Sequence, residues 1–335
     1  MKNQIENIQE FGVPGVQRSR KSEVGSRKPV LRTSDFGLPS SVFVLLALVF
    51  STFFFTSCED VIEVKLSEDE LNLYGVEASI STKEEPVVFL YHTLRVNQGI
   101  EYPGISGAEV VISDNATPSA QITLAESSEK KGLYLVPENS SFLGIAGREY
   151  TVTIKTEGNT LIAKDQLSRV EPIDSIVVEP SLRGDKRFLG IFTYGKETPG
   201  LGNYYKWDIY INDTLVHEAD RLAIAWDKFV DGNYISKLEV YTDFYDTTKP
   251  EDRKLRMNDT IQVKQTSISE FDYNFYFQVI NQSSTGGMFS VPPANIKSNF
   301  SGSDGRPVLG LFVARDVSES NKVVIGQSIE DQLKK

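Results

Sequence analysis

Cysteine is almost missing from this chain: Cys58 is the only one in 335 residues. A single thiol excludes an internal disulfide and a thiolate metal cluster. Histidine is nearly as scarce, with only His92 and His217, which excludes a site built on several imidazoles. Positive charge is in deficit. Lys and Arg number 35 against 46 Asp and Glu, a formal net charge of −11. That sign argues against non-specific binding of DNA or RNA, which needs a basic face against the phosphates. No Gly-x-Ser-x-Gly elbow occurs, so the usual sequence mark of an α/β-hydrolase nucleophile is missing. WDKFVDGN, with Asp227 and Asp231, and GSDG, with Asp304, both depart from the D-x-D-x-D-G pattern of calcium loops. There is no internal repeat and no low-complexity block. What remains is 40% apolar and 24% charged, the balance of a globular chain long enough for about two domains.

The first positive signal is VFVLLALVFSTFFF, Val42 to Phe55, which carries no charge. Arg18, Arg20, Lys21, Arg27, Lys28 and Arg32 precede it. A basic flank before a short apolar run is the layout of a secretory signal. Fourteen helical residues cover roughly 21 Å, short of a hydrocarbon core about 30 Å thick, which favours a cleaved signal over a membrane span. The run ends Phe55-Thr56-Ser57-Cys58. An apolar residue, two small residues and then the lone cysteine resembles a bacterial lipoprotein box, in which the cysteine is diacylated. Residues 1–57 are read as a signal with a long basic leader, and 58–72 as a lipidated acidic tether. Removing the seven basic and four acidic residues of 1–57 leaves 28 against 42, so the mature chain carries −14. Glu59, Asp60 and Glu63, just behind the cysteine, resemble the surface-export signal of Bacteroidota lipoproteins.

From Leu73 onward the pattern is that of strands. LYGVEASI (73–80), PVVFLYHTLRV (86–96), AEVVISD (108–114), QITLAE (121–126), GLYLVP (132–137), REYTVTIKT (148–156) and TLIAKD (160–165) are short, alternating and rich in β-branched and aromatic residues. Loop signals separate them, which predicts an Ig-like β-sandwich over 73–170. Arg169-Val-Glu-Pro172 reads as a junction. A second β-sandwich-type domain is expected over 171–317, with strands at 174–180, 204–211, 214–219, 221–226, 235–245, 259–267 and 308–317. The stretch 184–203 reads as a long loop or hairpin, and Asn212-Asp213 as a two-residue hairpin turn. One short helix is expected where Ser267 and Glu270 make a capping box ahead of Phe271, Phe275 and Val279. The tail 318–335 reads as polar and mobile. The whole is all-β in the main.

Candidate chemistry is thin. His92 and His217 fall inside predicted strands, where packing explains them. Glu84-Glu85, Glu251-Asp252 and Asp243 with Asp246 are carboxylate pairs of the kind glycosidases use, but scattered surface acids explain them as well. Aromatic residues are the richer signal. Tyr204, Tyr205, Trp207 and Tyr210 share one strand, with Tyr204 and Tyr210 on one face and Tyr205 and Trp207 on the other. One face is expected to be core and the other a contact surface, since Tyr and Trp favour interfaces. Tyr241, Phe244 and Tyr245 form a second aromatic group. The loop 281–306 holds Gly286-Gly287, Phe289, Pro292, Pro293 and Asn295, and long ordered loops often carry function. Contact with a ligand or partner is therefore expected at Tyr204, Tyr205, Trp207, Tyr210, Phe289, Pro292, Pro293 and Asn295. No catalytic residue, metal or cofactor is expected.

These residues resemble a known family, the Bacteroidota lipoproteins carrying domain of unknown function 4249. Its carriers are Cys58 with the acidic tether, LYGVEASI, GISGAEVVISD, GREYTVTIKT, PIDSIVVEP, GNYYKWDIYI, WDKFVDGNYI and, most specific, GGMFSVPPANIKSNFSG. The first half also resembles the carboxypeptidase-regulatory-like β-sandwich. The resemblance implies an outer-membrane lipoprotein encoded beside TonB-dependent transporters and helping them capture nutrient, with no enzymatic activity assigned. The alternative is a stand-alone surface adhesin or glycan-binding module.

Overall fold

The computed structural model describes residues 72–94, 102–183, 186–243, 254–283 and 296–333. The apolar run 42–55, Cys58 and the tether up to residue 71 lie outside them, as do Phe244, Tyr245, Asp246, Glu251 and Asp252, and Phe289, Pro292, Pro293 and Asn295 of the long loop. No helix among the described residues is long and apolar enough to cross a membrane.

Strands dominate. The first half holds β1 (Tyr74–Ser81), β2 (Val87–His92), β3 (Glu109–Asp114), β4 (Gln121–Glu126), β5 (Leu133–Leu135), β6 (Glu149–Thr156) and β7 (Asn159–Gln166). The second half holds β8 (Ile173–Arg183), β9 (Lys186–Lys196), β10 (Tyr204–Ile211), β11 (Thr214–Leu215), β12 (Ala223–Trp226), β13 (Tyr234–Thr242) and β14 (Thr260–Ile268). Helix α1 (Glu270–Ser283) follows, then β15 (Ser301–Gly302), β16 (Val308–Arg315), β17 (Val317–Glu319), β18 (Val323–Val324) and α2 (Gln327–Leu333). The period-two signal is visible in the burial. Tyr150, Val152 and Ile154 of β6 point into the core, while the threonines between them are half-exposed.

Nine strands form one sheet in the order β15-β7-β6-β3-β4-β5-β2-β1-β16. It curls until β16 lies beside β7, and side chains close the seam. The Asn299 amide accepts from Phe312 N–H at 3.0 Å and donates to Phe312 C=O at 2.8 Å. Asp165 of β7 accepts from Ala314 N–H at 2.6 Å. The enclosed core includes Ile80, Leu90, Ile112, Ile154, Leu161 and Phe312. Strand β16 runs parallel to β1, pairing Val76 with Gly310. Gly310 has φ +105°, and a Cβ there would sit 1.9 Å from the Val76 carbonyl oxygen, so only glycine fits this crossing.

The second half packs two sheets face to face. One contains β11-β10-β14-β17, with β12 also on β10 and β18 on β14; the other is β13-β9-β8. Leu189, Ile191, Trp207, Ile209, Leu255, Ile261 and Val263 lie in the core between them. Several details differ from the expectation. Most of 184–203 is strand: Leu189 and Ile191 are fully buried, and β9 pairs with β8 along its length. The strand expected at 214–219 stops at Leu215, so His217 lies outside it. Residues 318–333 are no loose tail, since β18 pairs with β14 and Ile325 is buried in the second core. The Asn212-Asp213 turn is as read, with φ +52° and +62°, the positive pair a type I′ hairpin requires.

The capping box is displaced by two residues. Asp272 N–H donates to Ser269 Oγ at 3.2 Å, and Ser269 N–H donates to Asp272 Oδ2 at 3.1 Å. Ser267 stays in the β14 ladder, donating to Ser168 C=O at 2.6 Å and accepting from Asp316 N–H at 2.9 Å. Asp272 is fully buried, and its carboxyl neighbours that of Asp165. Burial first, and the Asp165 charge next, push Asp272 well above the usual carboxylate range, and burial also raises Asp165.

Two predictions follow from these contacts. Gly310→Val should cost more than about 2 kcal/mol through the Val76 clash and backbone strain, read as a lower urea midpoint; an unchanged midpoint would refute the crossing. Asp272 binds its proton more tightly folded than unfolded, where it titrates near 4. Its contribution to stability is therefore full below about pH 4 and is lost as pH rises through the folded value. Asp272→Asn keeps an amide donor toward Asp165, so it should flatten that pH slope in urea melts.

Candidate functional site

Strand β10 places its aromatic residues on two covered faces. Tyr205 and Trp207 point into the second core, and Trp207 Nε1–H donates to Gln265 Oε1 at 2.9 Å. The opposite face lies under α1 and against the first half. Tyr204 packs beside Tyr273 and Trp226, with ring centroids 5.3 and 6.2 Å away. Lys206 pairs with Asp208 on this face, and Lys264 Nζ sits 5.3 Å over the Tyr210 ring. Of the residues singled out in sequence, these four come together in one strand.

Two cavities open on either side of Trp207. The larger, about 410 Å³, is lined by Trp207, Asp220, Arg221, Tyr241, Tyr273 and Phe277 among others. The smaller and more closed, about 180 Å³, lies between β10, β12 and the β9/β13 edge, with Tyr205, Trp207, Trp226, Leu238, Glu197 and Asp227 among its walls. Both exist because β12 and β13 lie at facing edges of the two sheets and do not pair with each other.

At the mouth of the smaller cavity two loops meet, 197–203 and 227–233. Carboxylate oxygens of Glu197, Asp227 and Asp231 lie within 4.8 Å of one another. Glu197 is 3% exposed and Asp227 1%. Glu197 accepts from the Tyr205 hydroxyl at 2.6 Å and from Gly232 N–H at 2.5 Å. Asp227 accepts from Gly202 N–H and Asn203 N–H, both at 3.1 Å, and Asp231 from Gly200 N–H at 2.7 Å. Burial first, then the bond to Glu197, raises the Tyr205 phenol, so it remains a donor. Among the described residues no lysine or arginine ion-pairs with these three carboxylates. The hard oxygens suit Ca²⁺ better than Zn²⁺. Around this mouth stand exposed apolar side chains: Phe229 is 85% exposed, Leu201 73%, and Trp226 and Tyr234 about half.

Sequence reading singled out Asp227 and Asp231 only as a poor calcium pattern and missed Glu197, which lies 30 residues upstream of Asp227. The glycines around them, in TPGLGN and VDGN, were the available signal. Asp243, read as a surface acid, is fully buried and accepts from Lys254 N–H and Leu255 N–H, both at 3.1 Å. Glu84 instead joins Lys264 and Arg315 at 2.8 and 3.3 Å. His92 ends β2, stacked on Tyr74 and 3.3 Å from Glu157, while His217 Nδ1 lies 3.3 Å from Leu215 C=O.

The fold defines a mainly all-β protein with two cores and one main helix. Within that class the chain belongs to the family of the domain of unknown function DUF4249, whose model matches residues 59–321. The match begins one residue after Cys58 and runs through β17, so it takes in the first core and most of the second. Among curated proteins none matches the chain.

If the carboxylates chiefly tie the two loops, Glu197→Ala should cost about 1–3 kcal/mol by orphaning the Tyr205 hydroxyl and Gly232 N–H. Asp231→Asn keeps an acceptor for Gly200 while removing a like charge, so it should stay within about 1 kcal/mol of the parent. Equal losses in thermal or urea melts of the two variants would contradict this division.

Proposed function

We propose that this chain is a non-enzymatic lipoprotein of a Bacteroidota outer membrane. It is held by lipid on Cys58, displayed at the cell surface, and serves as an accessory or binding partner of a TonB-dependent transporter in nutrient uptake. One observation carries the reading: the family domain starts at residue 59, directly behind the only cysteine, which itself ends an apolar run with a basic flank. A mature chain beginning at Cys58 would contain the whole domain and leave residues 1–57 to be discarded. Two or more acyl chains on one residue hold a protein firmly on a bilayer. The rim of Leu201, Trp226, Phe229 and Tyr234 supplies apolar and aromatic surface of the kind that anchors protein contacts.

A second reading, a stand-alone adhesin or glycan-binding module, is supported by the 410 Å³ cavity. Aromatic rings of Trp207, Tyr241, Tyr273 and Phe277 there neighbour Asp220 and Arg221, a combination on which a sugar ring can stack and hydrogen-bond.

The test uses protein recovered from its own membranes. Intact mass should show acyl chains on Cys58, and Cys58→Ala should move the chain to the soluble fraction. Crosslinking in cells should then capture a large barrel protein. A bare Cys58 thiol overturns the anchor. Lipidated protein that crosslinks to no transporter yet gives signal on a glycan array favours the second reading.

A further inference from the structure

The smaller cavity is the part of the molecule whose walls say most about an occupant. Its 180 Å³ is the share of about six water molecules, below the range for drug-sized ligands. Ala225, Val230, Ile235 and Leu238 give it apolar walls, and Tyr205 and Trp207 give it aromatic ones. Glu197 and Asp227 stand at one end, almost wholly buried.

The charge is one-sided. Both carboxylates act as acceptors from N–H or O–H groups, and Asp231 brings a third negative group within 4.8 Å. Lys196 also lines the cavity but forms no ion pair with them, and the Lys228 Nζ lies 5.0 Å over the Trp226 ring. The Trp207 N–H is taken by Gln265 and the Tyr205 O–H by Glu197, so neither offers a donor to an anion. Like charges held close in a low-dielectric pocket favour an opposite charge beside them. Aromatic faces favour the same sign.

We propose that this cavity binds a compact organic cation, with its ammonium charge beside Glu197 and Asp227 and its methyl or methylene groups against Trp207 and Leu238. The apolar walls distinguish this occupant from a bare metal ion, which would use the carboxylates and leave the cavity unfilled. The proposal does not rest on the lipid anchor or on a transporter partner.

The chain supplies its own reporter, because Trp207 is one of only two tryptophans and lines the cavity. Tetramethylammonium chloride titrated into the purified full chain should change tryptophan fluorescence saturably, beyond a matched sodium chloride series. Glu197→Gln and Asp227→Asn should each weaken binding by about tenfold, the effect of losing about 1.4 kcal/mol. Leu238→Phe, which keeps every carboxylate but fills the cavity, should abolish it while circular dichroism stays that of the parent. A response no different from sodium chloride overturns the proposal. So does tetramethylammonium binding that survives Leu238→Phe. A saturable calcium response that tetramethylammonium does not compete with, and that Leu238→Phe leaves intact, reassigns the carboxylates to a metal ion and equally overturns it.

Discussion

One length of chain, residues 308–319, holds the two halves of this protein in register. As β16 it lies parallel to β1 and closes the first sheet; one residue later, as β17, it pairs with β14 in the second. Asp316 sits at the bend. It accepts from Thr82 Oγ1–H at 2.6 Å, from Val170 N–H at 3.0 Å and from Val317 N–H at 3.0 Å. A single carboxylate thus ties the end of β1, the junction after β7 and the bend itself. Charge-assisted bonds of this kind are about twice as strong as neutral ones. The junction at Arg169–Pro172 is therefore a fastened crossing, with Ser267 and Ser318 adding bonds to Ser168 C=O and Ile173 N–H.

That crossing explains why β10 has no free face. Once β16 and β14 are locked together, α1 can seat Phe271, Phe275 and Tyr276 against Leu311 and Val313 of β16 and Ile268 of β14. The Asp165–Asp272 pair forms underneath, and the Lys206–Asp208 pair is covered with it. Burial of Lys206 and Asp208 is tolerated because they pair with each other. The aromatic residues of β10 thereby become walls and supports. Outward-facing aromatic surface moves to the neighbouring loop and strand ends, at Trp226, Phe229 and Tyr234.

The cavities follow from the same arrangement. Two sheets of unequal width leave β12 and β13 facing across an unpaired edge, and Trp207 divides the space behind it. Charge then distinguishes the two compartments. One neighbours Arg221 as well as Asp220, while the other meets Glu197 and Asp227, with which no lysine or arginine among the described residues forms an ion pair.

Much of the fold was readable in the order of residues. Strand positions followed from alternation, because the side-chain period of a strand is two and one face of nearly every strand is buried. The Asn212-Asp213 turn followed from residues that tolerate positive φ, and family membership followed from motifs spread along 59–321. The closing of the first sheet by β16, the meeting of Glu197 with Asp227 and Asp231, and the burial of Asp272 near Asp165 were decided by tertiary structure alone. Each joins residues about 30 to more than 200 positions apart, and local sequence carries no record of such distances. Alternation shows that a strand has an inside; only the folded chain determines what that inside touches.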